Sequence, residues 1–315
     1  MTDLSVSIGG LQLENPVMPA SGTFGEVMVR AIDINRLGAI VTKTITEDVR
    51  EGNPPPRLAE FADATLFSIG IPSKGVQHYV ETQVPFYRAF RPPLVASISA
   101  DTVEGFERLA AAVSVPGVAA IEANVSCPNL RKHGQAFGMD AHATQNVVRA
   151  MSAATTLPIW AKLTPNVGDI GEIARAAEAG GAQALVVANA LLGMAVDTTT
   201  FLPRVASVTG GLTGPATRPI LLRMAYQCAQ AVSIPVIGCG GISTAEDAIE
   251  YLLAGARAVQ VGTASFITPH AMLNIIDGLE AFCENRGISR LQDIVGAMKR
   301  HAPLAFPGVN QSFLG

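Results

Sequence analysis

The chain has 315 residues, 49% hydrophobic and 15% charged, with a formal net charge of −4, enough for one barrel-sized core. No apolar run approaches the roughly 20 residues of a bilayer span, and no basic block offers a footprint for nucleic acid. The opening Met-Thr-Asp-Leu-Ser-Val-Ser has neither a basic nor an apolar leader region, so the expectation is one cytoplasmic domain over 1–315, with no membrane or nucleic-acid partner.

Short β-branched or apolar runs alternate with amphipathic stretches, the pattern of repeated βα units on a parallel sheet. Strands are predicted near 15–19, 39–43, 94–98, 118–123, 158–163, 184–188, 234–238 and 258–262. That number closes an α/β fold of the (β/α)8 TIM-barrel type. Helices are predicted over 101–113, 141–155, 169–180, 217–232, 244–254 and 270–286. Asp101, Asp140 and Ser243 or Thr244 suit their starts, and Gly180 or Gly181 and Gly255 their ends. The connections 44–93 and 190–216 are too long for ordinary loops and are expected to roof the carboxyl-terminal face. The first carries Asn53-Pro-Pro-Pro56 and little helical periodicity, which suits a hairpin or lid excursion.

Polar groups gather at the predicted strand ends, where a parallel barrel keeps its chemistry. Asn124-Val-Ser-Cys-Pro-Asn129 puts a thiol between two carboxamides after an apolar run. A free cysteine is ordinarily a small core hydrophobe, but core cysteines are not usually bracketed by asparagines and followed by proline. Lys43 and Lys162 also end apolar strands, and buried ammonium groups require an anionic partner such as a phosphate or an electron-rich ring. Asn189 ends a further strand. Strand seven runs into Gly238-Cys-Gly-Gly-Ile242 and strand eight into Gly262-Thr263, the positions at which barrels bind phosphate on exposed backbone N–H groups. Four cysteines, Cys127, Cys228, Cys239 and Cys283, form no CxxC, which argues against a zinc, cluster or disulfide site, and no metal is expected.

In this order these pieces resemble the dihydroorotate dehydrogenase family, class 1. The resembling motifs are Asn15-Pro-Val-Met-Pro-Ala-Ser-Gly-Thr-Phe-Gly25, Lys43-Thr44, Gly52-Asn-Pro-Pro-Pro-Arg57, Asn124 to Asn129, Lys162-Leu-Thr-Pro165 and Gly210-Gly-Leu-Thr-Gly-Pro215, with the two glycine turns. Leu192-Gly-Met-Ala-Val-Asp197 through Arg223-Met-Ala-Tyr-Gln227 is closer to class 1B. The resemblance implies an FMN-dependent oxidoreductase acting on a CH–CH bond, with dihydroorotate as default substrate and a role in pyrimidine biosynthesis. It further implies a homodimer core and an iron-sulfur, FAD-bearing electron-transfer subunit.

By that resemblance Ala20, Ser21, Gly22, Lys43, Thr44, Asn124 and Lys162 would surround the flavin, and Gly214, Gly240, Gly241, Gly262 and Thr263 would hold its phosphate. Lys43, Asn124, Asn129 and Asn189 would hold substrate, with Cys127 as general base and Lys43 beside the reacting centre. The loop 130–138 could act as a mobile cover, and its His133 reads as a solvated loop histidine.

The substrate loop departs from the family pattern. It reads Phe67-Ser-Ile-Gly-Ile-Pro-Ser-Lys-Gly75, with Phe67 and Ser73 where the family carries asparagines, and Ala190 where it has Ser or Thr. Phe67, Ser68, Ile69, Gly70, Ile71 and Ala190 would then present a less polar wall, the alternative being a paralogue acting on a different, less polar cyclic substrate. Compensation by Ser68 or Lys74 is the competing expectation.

Overall fold

The computed structural model describes residues 2–126 and 137–299. Eight strands form one parallel sheet: β1 (Val17–Pro19), β2 (Ile40–Val41), β3 (Leu94–Ile98), β4 (Val118–Asn124), β5 (Ile159–Lys162), β6 (Ala184–Val187), β7 (Val236–Cys239) and β8 (Ala258–Val261). Consecutive strands pair from β2 through β8, and β8 pairs in turn with β1, which leaves β1 and β2 as the two ends of the sheet. Between β1 and β2 the Gly38 N–H donates to Val17 O at 2.8 Å. A Cβ at Gly38 would stand 2.0 Å from Asn15 O, so only glycine lets these strands meet. All eight predicted strands are present, and the barrel is the architecture that their apolar runs imply.

Alternation within the strands sorts side chains between two cores. Met18, Val41, Val95, Ala120, Trp160 and Ile237 fill the barrel interior, while Ile40, Ala96, Ile121, Leu185 and Val259 lie in the layer beneath the helices. Those helices are α1 (Val103–Val113), α2 (Ala141–Ala154), α3 (Ile170–Ala179), α4 (Arg218–Ala231), α5 (Ala245–Leu253) and α6 (Ala271–Arg286). Asp140 caps α2 as expected, through Ala143 N at 2.6 Å. The α1 cap is Thr102, whose Oγ1 accepts from Gly105 N at 3.0 Å. Asp101 instead lies 3.8 Å from Arg50.

Two features depart from the sequence-based expectation. A hairpin, Val6–Ile8 with Leu11–Leu13, turns on Gly9 and Gly10 at positive φ, and its Ile8 and Leu13 join the interior cluster that contains Trp160. Residues 75–87 are helical, with Tyr79, Val84 and Tyr87 buried, although that connection shows little helical periodicity. The two long connections form one antiparallel sheet, in the order Leu191–Met194, Thr209–Thr213, Thr65–Phe67, Leu58–Glu60. The hairpin excursion is therefore present, and its sheet is shared with the second connection.

Candidate active site

The alternation that buries Trp160 inside the barrel turns Lys162, two residues on, inward at the end of β5. Lys162 is 3% exposed. Its Nζ donates to Gln260 Oε1 at 2.9 Å and to Ser21 Oγ at 3.2 Å. The anionic partner that a buried ammonium demands comes from the chain itself. Glu122, fully buried on β4, has Oε1 3.9 Å from Lys162 Nζ. Its Oε2 accepts from Gln260 Nε2 at 2.7 Å, and its Oε1 from Ser97 Oγ at 3.0 Å. Sequence reasoning missed Glu122, Gln260 and Ser97. The available signal was a carboxylate inside the otherwise apolar Val118-Ala-Ala-Ile-Glu-Ala-Asn124.

Thr44 Oγ1 lies 3.0 Å from Ser97 Oγ and accepts from Asn124 Nδ2 at 3.4 Å. Asn124 Oδ1 accepts from Ser126 Oγ at 2.6 Å, and Asn189 Nδ2 donates to that Ser126 hydroxyl at 2.5 Å. Thr44, Asn124 and Asn189 are thus brought together at the carboxyl ends of β2, β4 and β6. Lys43 stands at the same level, its Nζ 3.8 Å from where a Cβ on Gly22 would lie. Cys127, Asn129, His133 and most of the 130–138 loop fall outside the described residues.

An open cleft runs across this end of the barrel. Ala20, Ser21, Lys162 and Asn189 line one part; Gly214, Gly240, Gly241, Gly262 and Thr263 line another. Gly214, Gly240 and Gly241 have φ of 108°, 124° and 69°. Close packing also requires the last two, since added Cβ atoms would stand 2.1 Å from Leu221 and 2.6 Å from Arg218. Gly238 belongs to β7 and is needed for packing, because a Cβ there would meet the Tyr251 ring at 2.2 Å. The N–H groups of Ser243 and Thr244 donate to Asp247 Oδ2 at 2.8 and 3.0 Å, so the start of α5 is self-capped. Arg218 is bound by Asp247 and Glu250. An anion at this end would therefore rest on the glycine backbone rather than on α5 or on this guanidinium.

Phe67 and Ala190 both line the cleft. The phenyl ring packs over Gly211, where a Cβ would lie 3.0 Å from Phe67 Cζ and 2.8 Å from Ala190 Cβ. Ser68, Ile69, Gly70 and Ile71 are outside its lining. Ser68 Oγ accepts from Asn53 Nδ2 at 2.7 Å and is hydrogen-bonded to Ser207. Ser73 Oγ accepts from Thr46 N and Gly75 N, and Lys74 is exposed. Cys239 also lines the cleft, and burial pushes its thiol up despite the adjacent Lys162.

A sequence model of dihydroorotate dehydrogenase matches residues 3–283. Similar curated proteins are named dihydroorotate dehydrogenase B (NAD(+)), catalytic subunit. The protein of Thermoanaerobacter sp. (strain X514) is 44% identical over 94% of this chain and 99% of its own length. That of Desulforamulus reducens is 46% identical over 94% and 98%, and that of Bacteroides thetaiotaomicron 45% identical over 95% and 100%. The motifs, the barrel and these near-complete matches agree: the chain belongs to the dihydroorotate dehydrogenase family.

Proposed function

We propose that this chain oxidises dihydroorotate to orotate with FMN, as the catalytic subunit of an assembly that passes the electrons on. The carrying observation is one cleft that joins a buried, cation-bearing floor to three positive-φ glycines and the Gly262-Thr263 turn. That arrangement fits FMN. Ser21, Gly22, Lys43 and Lys162 would take the ring, with Ala20, Thr44 and Asn124 beside or beneath it. Gly214, Gly240, Gly241, Gly262 and Thr263 would take the phosphate. Bound FMN would supply the acceptor for the hydride leaving substrate C6.

The chain's residues account for the remaining steps. Asn124 and Asn189, already oriented through Ser126, would hold the pyrimidine edge together with Asn129, while Lys43 offsets the substrate carboxylate. Cys127 follows Ser126 directly and would take the C5 proton as its thiolate, leaving the C5–C6 bond unsaturated. The overall change is one proton to sulfur and two electrons with one hydrogen to flavin.

The name "catalytic subunit" on the relatives supports a separate electron-transfer partner, read as the iron-sulfur, FAD-bearing kind. A homodimer core is the accompanying expectation. FMN-loaded protein supplied with a redox dye should form orotate from dihydroorotate, whereas NAD-linked turnover should need the partner. Failure with the dye would refute the reaction, and NAD-linked turnover by this chain alone would refute the partner.

A further inference from the structure

The cleft floor contains one pair of opposite charges with a carboxamide between them. An ammonium only donates and a carboxylate only accepts, so the Gln260 amide has one orientation that satisfies both neighbours. Its Oε1 faces Lys162 Nζ at 2.9 Å and its Nε2 faces Glu122 Oε2 at 2.7 Å. The direct ammonium-to-carboxylate separation is 3.9 Å, so the two ions form a buried pair that the amide also bridges by hydrogen bonds. Ser97 Oγ holds the other carboxylate oxygen at 3.0 Å. Buried charges interact strongly, and removing one of a pair leaves the other uncompensated. Burial pushes up the thiol of Cys239 beside them. Lys162 and Glu122 are thus the opposed charges beneath the proposed ring, with Lys43 a further cation at the same end of the barrel.

We infer that Glu122 is a positioning residue for the flavin reaction. Through Gln260 it holds Lys162 Nζ toward Ser21 and offsets its charge, and so sets how strongly the floor favours the electron-rich reduced ring. A lone cation there would hold electrons on the flavin. The opposed carboxylate moderates that pull so that electrons can move onward. This inference rests on the proposed seating of the ring over Lys162.

The test is the midpoint potential of FMN bound to the full-length protein, measured by dye equilibration at pH 6 alongside FMN affinity. Glu122→Gln should raise the ratio of reduced to oxidised flavin at fixed potential about tenfold, ~30 mV for a two-electron couple. Glu122→Asp keeps the charge and should stay within about threefold of wild type, whereas Lys162→Met should shift the ratio the opposite way. If Glu122→Gln does not fold, Lys162→Met compared with the Lys162→Met, Glu122→Gln double variant reads the same charge, because the double variant leaves no ion unpaired. Lys162→Met shifting the potential while loss of the Glu122 charge does not, or Gln and Asp at 122 shifting it equally, would overturn the role of Glu122 alone. Lys162→Met leaving both potential and FMN affinity unchanged would overturn the seating of the ring, and the inference with it.

Discussion

Three thiols in the described structure, Cys228, Cys239 and Cys283, are buried, and burial pushes each of them up, Cys228 to about 12. None of them suits proton removal near neutral pH, and the proposed reading gives that role to Cys127. Cys127→Ser should lower dihydroorotate turnover at neutral pH by about 10²–10⁴-fold, with partial recovery as pH rises. Unchanged turnover in a pH–rate profile would remove the assignment. At the opposite wall, Phe67→Asn returns a donor and an acceptor to the cleft lining and should raise kcat/KM for dihydroorotate about tenfold, the worth of roughly one good hydrogen bond. No gain would mean that the apolar wall does not limit this substrate. Lys162 was legible because a cation ending an apolar strand demands a partner. Its partner Glu122 was not, because the pairing depends on neighbouring strands and on Gln260, more than a hundred residues away in sequence.

Barrel strands read clearly because both faces are buried, which leaves near-continuous apolar runs between glycines and helix caps. Their closure was not legible: nothing local marks Gly38 as the point where β1 and β2 meet. Gly38→Ala should cost more than about 2 kcal/mol, the scale of overpacking against backbone that cannot retreat, and should appear as a lowered denaturant midpoint. A normal midpoint would mean that the two strands can separate without loss. The amino-terminal hairpin went unpredicted although Gly9-Gly10 between Val-Ser-Ile and Leu-Gln-Leu carries a turn signal, because its strands are only three residues each. Thr244→Ala removes one half of the α5 capping box and should cost about 1 kcal/mol. A loss near zero would show Asp247 capping α5 alone.

Across the molecule, several surface carboxylates are held below their usual range by hydrogen bonds. Glu178 is lowered chiefly by Ser233, Glu47 by Arg108 and Asp197 by the N–H of Thr199. A lowered folded-state pKa gives stability that is present above the unfolded value and is lost as pH falls through the folded one. Thermal stability should therefore decline as pH falls below about 4.5, with small contributions from each group because Glu47 and Asp197 are exposed and Glu178 is only half-buried. A transition temperature flat through that range would contradict these assignments. Among the described residues no helix is long and apolar enough to cross a membrane, and no group of His, Cys, Asp and Glu could hold a metal ion. The proposed reaction rests on FMN and on the cleft around it. Anaerobic titration of the FMN-loaded protein with dihydroorotate, followed by flavin absorbance, tests this most directly. The account predicts stoichiometric bleaching. Flavin that stays yellow with dihydroorotate, yet is bleached by dithionite, would contradict it.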